Sequence, residues 1–488
     1  MNKKLVLNTL SKIGMIEAAL MLLPIFISIY YHDYITMKVF LFTALLTVLI
    51  NAPLLLLVKP VKGKSMTARD GIAVAALGWI FLSVFGSIPY YVSGQIPHYM
   101  DALFESISGF TTTGASILGD VEALTEGMMF WRCLTHWVGG MGVLVLFVAL
   151  IPSDKKSSSL QLMRAECPGP TVEKLVPKGR SSAMILYFIY GGLTIIMVIF
   201  LLIGGMPLYD SVCHAMGTAG TGGFNVKNAG LGFYNSAYIE GVVTVFMILF
   251  GVNFNIYYFI LMRKFVGIYK NTELKVYLGT IFASIAVIVA NTLQYGVFHS
   301  FGKAVRYASF QVGSIMTSTG YATADFDQWP ELSKTILICL MFVGACAGST
   351  GGGFKVSRVI ILFKTAKRNL RKAMHPKSVN VVKSDDRAID IETVHGVSCY
   401  LIIYIMIFFI SLLIVSFNNF DFGTNFTSVT ACLNNIGPGI SRVGPMQNYY
   451  ALSDLTKSVL SLDMLLGRLE CLPLLMLFAP SMWFKKLY

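Results

Sequence analysis

Four short stretches of this chain carry the residue types needed to hold a bare cation with main-chain oxygens. They read DALFESISGFTTTGAS from residue 101, DSVCHAMGTAGTGGFN from 210, YASFQVGSIMTSTGYA from 307 and GTNFTSVTACLNNIGPG from 423. Aligned without gaps, they bring Gly114, Gly223, Gly320 and Gly437 into register. The residues directly before these glycines are Thr112 and Thr113, Thr221 and Gly222, Ser318 and Thr319, and Asn435 and Ile436. Glycine reaches backbone angles closed to other residues, so it lets successive carbonyls turn toward one point. A ring of such oxygens can replace the hydration shell of potassium, an ion larger and more weakly hydrated than sodium. One glycine motif of this kind is weak evidence; four in register are an internal repeat.

Each stretch is flanked by apolar runs long enough to cross a bilayer. Hydropathy places the pairs at 71–91 and 127–151, 183–203 and 237–261, 276–298 and 334–363, and 394–417 and 458–483. Two leading runs at 13–30 and 37–58 bring the expected number of transmembrane helices to ten. The stretches between the pairs are too short to span: about 10 helical residues reach only ~15 Å. They are expected to enter as a short helix and return as an extended strand, which is tolerated where it lines a cavity or packs in protein. The fold class is therefore an all-α polytopic membrane protein. Four pseudo-symmetric helix–pore-loop–helix repeats surround a central pore, with two N-terminal helices added. The expected units are 1–65 (leading helices), 66–155, 156–265 and 266–375 (repeats 1 to 3, the third with a gate loop) and 376–488 (repeat 4).

Composition agrees. Hydrophobic residues make up 55% of the chain and charged ones 13%, against about 25% charged in soluble domains. The net charge of +13 does not point to nucleic acid, because it is gathered in alternate loops. Lys59, Lys62, Lys64 and Arg69 form one cluster; Lys155, Lys156, Arg164, Lys174, Lys178 and Arg180 a second; Arg263, Lys264, Lys270 and Lys275 a third; the segment 364–387 a fourth. The intervening loops are nearly bare. This positive-inside pattern predicts a multi-pass protein of the cytoplasmic membrane with both termini in the cytoplasm and basic loops against anionic lipid. No small-residue cleavage site follows the first apolar run, so no cleaved leader is expected. The eight cysteines include no CxxC pair, and neither a disulfide framework nor a metal centre of the zinc kind is indicated.

Two further features suit a gated pore. The run from 334 is interrupted by Gly348, Ser349, Thr350, Gly351, Gly352 and Gly353, followed by Phe354 and Lys355. Four glycines in six residues cannot hold a straight helix; a hinge or cavity loop, acting as a gate, is expected. A phosphate loop is not, since Phe354 separates Gly353 from Lys355 and no strand precedes. Arg468 lies near the middle of the last run, where a charge is costly unless it faces water or a partner. It is expected under the ring, where its charge tunes flux. The competing reading is an ion pair with Glu470 or Asp463.

These residues resemble the Trk/Ktr/HKT superfamily of potassium transporters, and specifically the Trk-type membrane subunit. The resemblance covers essentially the whole chain and rests on TTTGAS, TGGFN, TSTGYAT, NNIGPG, GSTGGGFK and GRLE. It implies four repeats around one pore per subunit, a homodimer, K+ as the transported ion and no cofactor in this chain. It carries the filter to Gly114, Gly223, Gly320 and Gly437, the gate loop to 348–355 and the pore arginine to Arg468. It also implies a separate cytoplasmic nucleotide-sensing RCK (TrkA-like) regulatory subunit. Gly222, where family members often carry alanine, is expected to soften one quarter of the filter. A less selective Na+/K+ pathway and an alternating-access carrier remain as alternatives. An enzyme is not expected, because His136 and the Asp210–His214 pair fit a helix interior and a pore-helix start.

Overall fold

The computed structural model describes residues 1–58, 66–142, 179–377, 381–385 and 387–483. The basic loops at 59–65 and 151–178, and the end of the run at 127–151, lie outside the described residues, as does the close of the last unit at 484–488. The protein is almost wholly helical; a two-residue antiparallel ribbon, Lys383–Ser384 against Arg387–Ala388, is the exception among the described residues.

The leading helices are α1 (Lys3–Leu20) with α2 (Leu22–Tyr30), and α3 (Tyr34–Leu57). Repeat 1 comprises α4 (Ala68–Val92), the short α5 (Tyr99–Phe110) and α6 (Glu126–Gly140). Repeat 2 comprises α7 (Gly179–Ile203), the short α8 (Leu208–Ala219), α9 (Ala237–Phe250) and α10 (Phe254–Leu261). After a short helix α11 (Phe265–Tyr269), repeat 3 runs through α12 (Thr272–Gln294), the short α13 (Phe301–Met316), α14 (Glu331–Val343) and α15 (Val356–Met374). Repeat 4 comprises α16 (Ile391–Val415), the short α17 (Phe422–Leu433), α18 (Asp454–Arg468), α19 (Leu472–Leu477) and α20 (Pro480–Trp483). Sequence punctuation sets the starts. Thr67 caps α4 in a capping box with Asp70, and Asp70 also accepts the Asn2 amide at 2.7 Å, tying the chain start to repeat 1.

The second helix is broken in every repeat, whereas a break was expected from sequence only in the run from 334. Six helices among the described residues are long and apolar enough to cross, or seven with the pair α9 and α10, which meet at a bend of 92°. α6 stops at Gly140, α9 at Phe250, α14 at Val343 and α18 at Arg468. Close packing against the short helices accounts for this at two ends. A side chain at Gly139 would collide with the Phe110 carbonyl, and one at Gly467 with the Leu433 carbonyl. A glycine at these positions lets the second helix touch the C-terminus of its own repeat's short helix, and weakens the helix there.

Packing between repeats closes a circle. α6 lies against α8, α9 against α13, α14 against α17, and α18 against α5. Two joints carry ion pairs across: Arg306 of α13 meets Glu240 of α9 at 2.6 Å, and Lys457 of α18 meets Asp101 of α5 at 2.6 Å. The second is buried on both sides. Breaking a buried pair strands one charge, at about 3–5 kcal/mol, while replacing both partners by apolar residues is often neutral. Lys457→Met should therefore lower thermal stability in detergent markedly, and Asp101→Leu/Lys457→Met should recover most of the loss. Equal destabilisation by the double variant would contradict this account of the joint.

Candidate ion pathway

Each short helix ends in the same way. The amide of the residue after its C-cap bonds three residues back, and the next amide five back: Thr112 to Gly109 (3.1 Å) and Thr113 to Ser108 (2.9 Å) in repeat 1. The equivalents are Thr221 to Thr218 and Gly222 to Gly217, Ser318 to Ile315 and Thr319 to Ser314, and Asn435 to Cys432 and Ile436 to Ala431. This is the Schellman pattern, which needs a left-handed residue. Thr112, Thr221, Ser318 and Asn435 supply it with φ of 55°, 52°, 59° and 54°. Two residues on, Gly114, Gly223, Gly320 and Gly437 have φ of 78°, 80°, 80° and 94°. The chain thus leaves each helix, reverses and returns as non-helical backbone outside any sheet, a strand in its path alone.

The four strands meet edge to edge. A Cβ on Gly114 would strike the Gly222 carbonyl; on Gly223, that of Thr319; on Gly320, that of Ile436. On Gly437 it would stand 2.8 Å from the Thr113 carbonyl, which returns to the start. Each aligned glycine therefore abuts the carbonyl preceding the glycine of the next repeat, and the circle closes after four. Among the described residues no main-chain amide donates to the carbonyls of Thr113, Gly222, Thr319 or Ile436. Thr113, Thr319 and Ile436, the three of these residues that carry side chains, are buried.

The strands are held from behind by groups that the sequence reading did not single out. Arg132 pairs with Glu105 at 2.6 Å, both buried, and donates to the Asn225 carbonyl at 3.0 Å. Glu105 also accepts the Ile117 amide at 3.0 Å, so one carboxylate fastens the strand leaving Gly114 to its own short helix. Tyr449 donates to the Gly437 carbonyl at 2.6 Å, and Ser314 to that of Tyr321 at 2.6 Å. Asn435 donates to the Thr113 hydroxyl at 2.9 Å, joining repeat 4 to repeat 1. An arginine inside an otherwise apolar run, as at Arg132, is the available signal. Asp210 and His214 do not form a carboxylate–imidazole pair: His214 Nδ1 faces the Asp210 main-chain oxygen, and the Asp210 carboxylate accepts from Tyr234 at 2.6 Å.

Gly348–Lys355 sits in a loop running from the end of α14 to the start of α15, against the turns that lead from the short helices of repeats 3 and 4 into their strands. A Cβ on Gly351 would stand 2.8 Å from the Thr317 carbonyl, and one on Gly352 would strike that of Asn434. Gly352 donates its amide to the Ser318 hydroxyl at 2.5 Å, and Thr350 its hydroxyl to the Phe250 carbonyl at 3.2 Å. Lys355 donates to the Gly351 carbonyl. The helix break begins earlier than the glycine run: Gly344 already turns at φ 71°, followed by Gly348 at 70°, Gly353 at 80° and Lys355 at 80°. Ser349 closes a turn on Cys346 at 2.7 Å.

Arg468 binds across this loop. Its guanidinium donates to the Thr350 carbonyl (2.9 Å), the Thr112 hydroxyl (3.2 Å) and the Gly139 and Gly140 carbonyls (2.5 and 2.7 Å). The ion pairs considered from sequence do not form. Glu470 pairs with Arg358 of α15, and Asp463 accepts from Ser411 at 2.7 Å. Glu470 and Cys471 at φ 54° and 62° end α18 directly after the arginine. Beside Gly222, expected from sequence to soften one quarter of the filter, the imidazole of His136 lies where a methyl group would go.

A family model described as cation transport protein, TrkH, matches residues 36–486. The chain belongs to the TrkH family. The Trk system potassium uptake protein TrkH of Escherichia coli K12 is 33% identical over 421 residues, covering 86% of each chain. That of Halomonas elongata is 33% identical over 488 residues, covering 99% of this chain and 100% of the relative. The crystal structure of the potassium transporter TrkH from Vibrio parahaemolyticus superposes with a TM-score of 0.89 at 28% identity, covering 99% of this chain and all of that one. The superposition takes in the broken second helices and the circle of strands, since it covers 99% of this chain. The architecture is the expected all-α polytopic one.

Proposed function

We propose that this protein takes up potassium across the cytoplasmic membrane through one selective pore per chain. The carbonyls of Thr113, Gly222, Thr319 and Ile436, with those of the residues before them, strip the ion of water. The carrying observation is the closed circle in which each aligned glycine abuts the next repeat's carbonyl. Carbonyls without amide partners are costly in a membrane unless something else satisfies them, and a weakly hydrated cation does so. The short helices add to this: each directs a carbonyl end, worth roughly half a negative charge, toward the axis below. The names of the relatives, potassium uptake proteins, support the choice of ion.

The loop 344–355 with Arg468 forms the gate. The guanidinium links Thr350 of the loop to Gly139 and Gly140 of repeat 1, so the loop stays across the inner face of the strands while that link holds. Inward flux draws on the membrane potential, about 2.3 kcal/mol per charge per 100 mV. Two assembly expectations come from the family resemblance: a homodimer, and a separate cytoplasmic nucleotide-sensing ring subunit. Purified chain in liposomes should accumulate rubidium under an inside-negative potential, with sodium excluded. Accumulation that requires a sodium gradient would favour a coupled carrier, and none under any gradient would refute the uptake reading.

A further inference from the structure

The four ring carbonyls belong to Thr113, Gly222, Thr319 and Ile436, and three of these residues fix themselves. The Thr113 hydroxyl bonds the Thr111 hydroxyl at 2.8 Å and accepts from Asn435 at 2.9 Å. The Thr319 hydroxyl bonds that of Thr317 at 2.7 Å. Ile436 is fully buried in the apolar cluster of repeat 3. Gly222 has no side chain to anchor, although its carbonyl is the one that Gly114 abuts. Glycine is also the residue with the most backbone freedom to lose.

A ring from another repeat occupies the missing place. A Cβ at Gly222 would fall on Cγ, Cδ2 and Nδ1 of His136, and a Cβ at Gly220 would strike the His136 carbonyl. The imidazole is itself immobilised. Its Nδ1 faces the Gly109 carbonyl at 2.7 Å and therefore carries the proton it donates. Its face stacks on Phe224 with centroids 4.0 Å apart, and Phe224 in turn lies 3.5 Å from the Arg132 guanidinium. His136 is fully buried.

We propose that His136 is a positioning residue for ion selection: from α6 it supplies the anchor for the Gly222 carbonyl that the other three ring residues supply for themselves. This rests on the filter reading above and adds to it a pairwise dependence between positions 136 and 222. Restraint of one oxygen in four matters because selection depends on the number and placement of the coordinating dipoles.

The test is the ratio of rubidium to sodium uptake by the purified chain in liposomes, with thermal stability measured alongside. His136→Ala, which frees Gly222, and Gly222→Ala, which forces a methyl onto the imidazole, should each lower the ratio about tenfold. In the double variant the methyl fills the space the ring vacated, so the ratio should return to within about threefold of the parent. His136→Asn retains atoms in the places of Cγ, Nδ1 and Cδ2 and a donor for Gly109, and should restore most of the discrimination lost in His136→Ala. Should Gly222→Ala fail to fold while the double variant folds, the dependence is again supported. Additive losses, or a His136→Asn protein that folds but discriminates no better than His136→Ala, would overturn the proposal. Gly437→Ala serves as the control. If it shifts the ratio and the His136 variants do not, only this inference fails; if none shifts it, the filter reading fails too.

Discussion

Gly114→Ser is expected to lower the potassium-to-sodium uptake ratio by about tenfold or more. Two effects act in the same direction. At φ 78° a residue with a Cβ is strained, by roughly 1–2 kcal/mol. The new Cβ also drives into the Gly222 carbonyl, so serine can be accommodated only if repeats 1 and 2 move apart. On the proposed filter reading, a displaced oxygen no longer matches the larger, weakly hydrated ion, and the smaller one regains ground. A factor of ten corresponds to about 1.4 kcal/mol, within the strain alone. Paired rubidium and sodium uptake into liposomes measures it, and an unchanged ratio in a folded variant would remove Gly114 from the filter.

Arg468→Ala should raise potassium flux about tenfold. On the proposed gating role, the guanidinium makes two contributions that oppose conduction. It would hold the loop through the Thr350 carbonyl while anchored on Gly139 and Gly140, and it places a positive charge beside Thr112 where the strand of repeat 1 begins. Hydrogen bonds to charged groups contribute roughly 1.5–3 kcal/mol each, so loss of the Thr350 contact alone is enough for that factor. Arg468→Lys keeps the charge but not the fork that reaches three carbonyls at once; it should fall between parent and alanine. Single-channel recording separates the two effects: a higher open probability reports the latch, a larger unitary current the charge. A lower current at unchanged open probability would contradict both roles.

The sequence carried the four glycines because they recur in register between apolar runs, and repetition is a signal that needs no neighbour in space. It did not carry the left-handed turn at Thr112, Thr221, Ser318 and Asn435, since none of these residue types demands positive φ by itself. The ends of the second helices were also hidden. The run 237–261 is apolar throughout, and its bend at 251–253 arises from contacts with repeat 3: the Cys346 amide bonds the Gly251 carbonyl at 3.1 Å and the Phe254 amide that of Gly348 at 3.0 Å. Long-range partners defeated the reading of Glu470 in the same way. Sequence offered Arg468 only as a competing partner, and Arg358, more than a hundred residues away, takes it. For Arg468 the membrane argument asks only whether a charge can be left in lipid, and its guanidinium is met by Thr112, Gly139, Gly140 and Thr350.

Thallium, a heavy mimic of potassium, offers the most direct test of the oxygen ring. Crystals of the purified chain grown with thallium should give an anomalous peak on the repeat axis, within coordination distance of the Thr113, Gly222, Thr319 and Ile436 carbonyls. Sodium in excess should not displace it, whereas potassium should. A circle of strands with no peak inside it, or a peak held through water away from those four oxygens, would contradict the account.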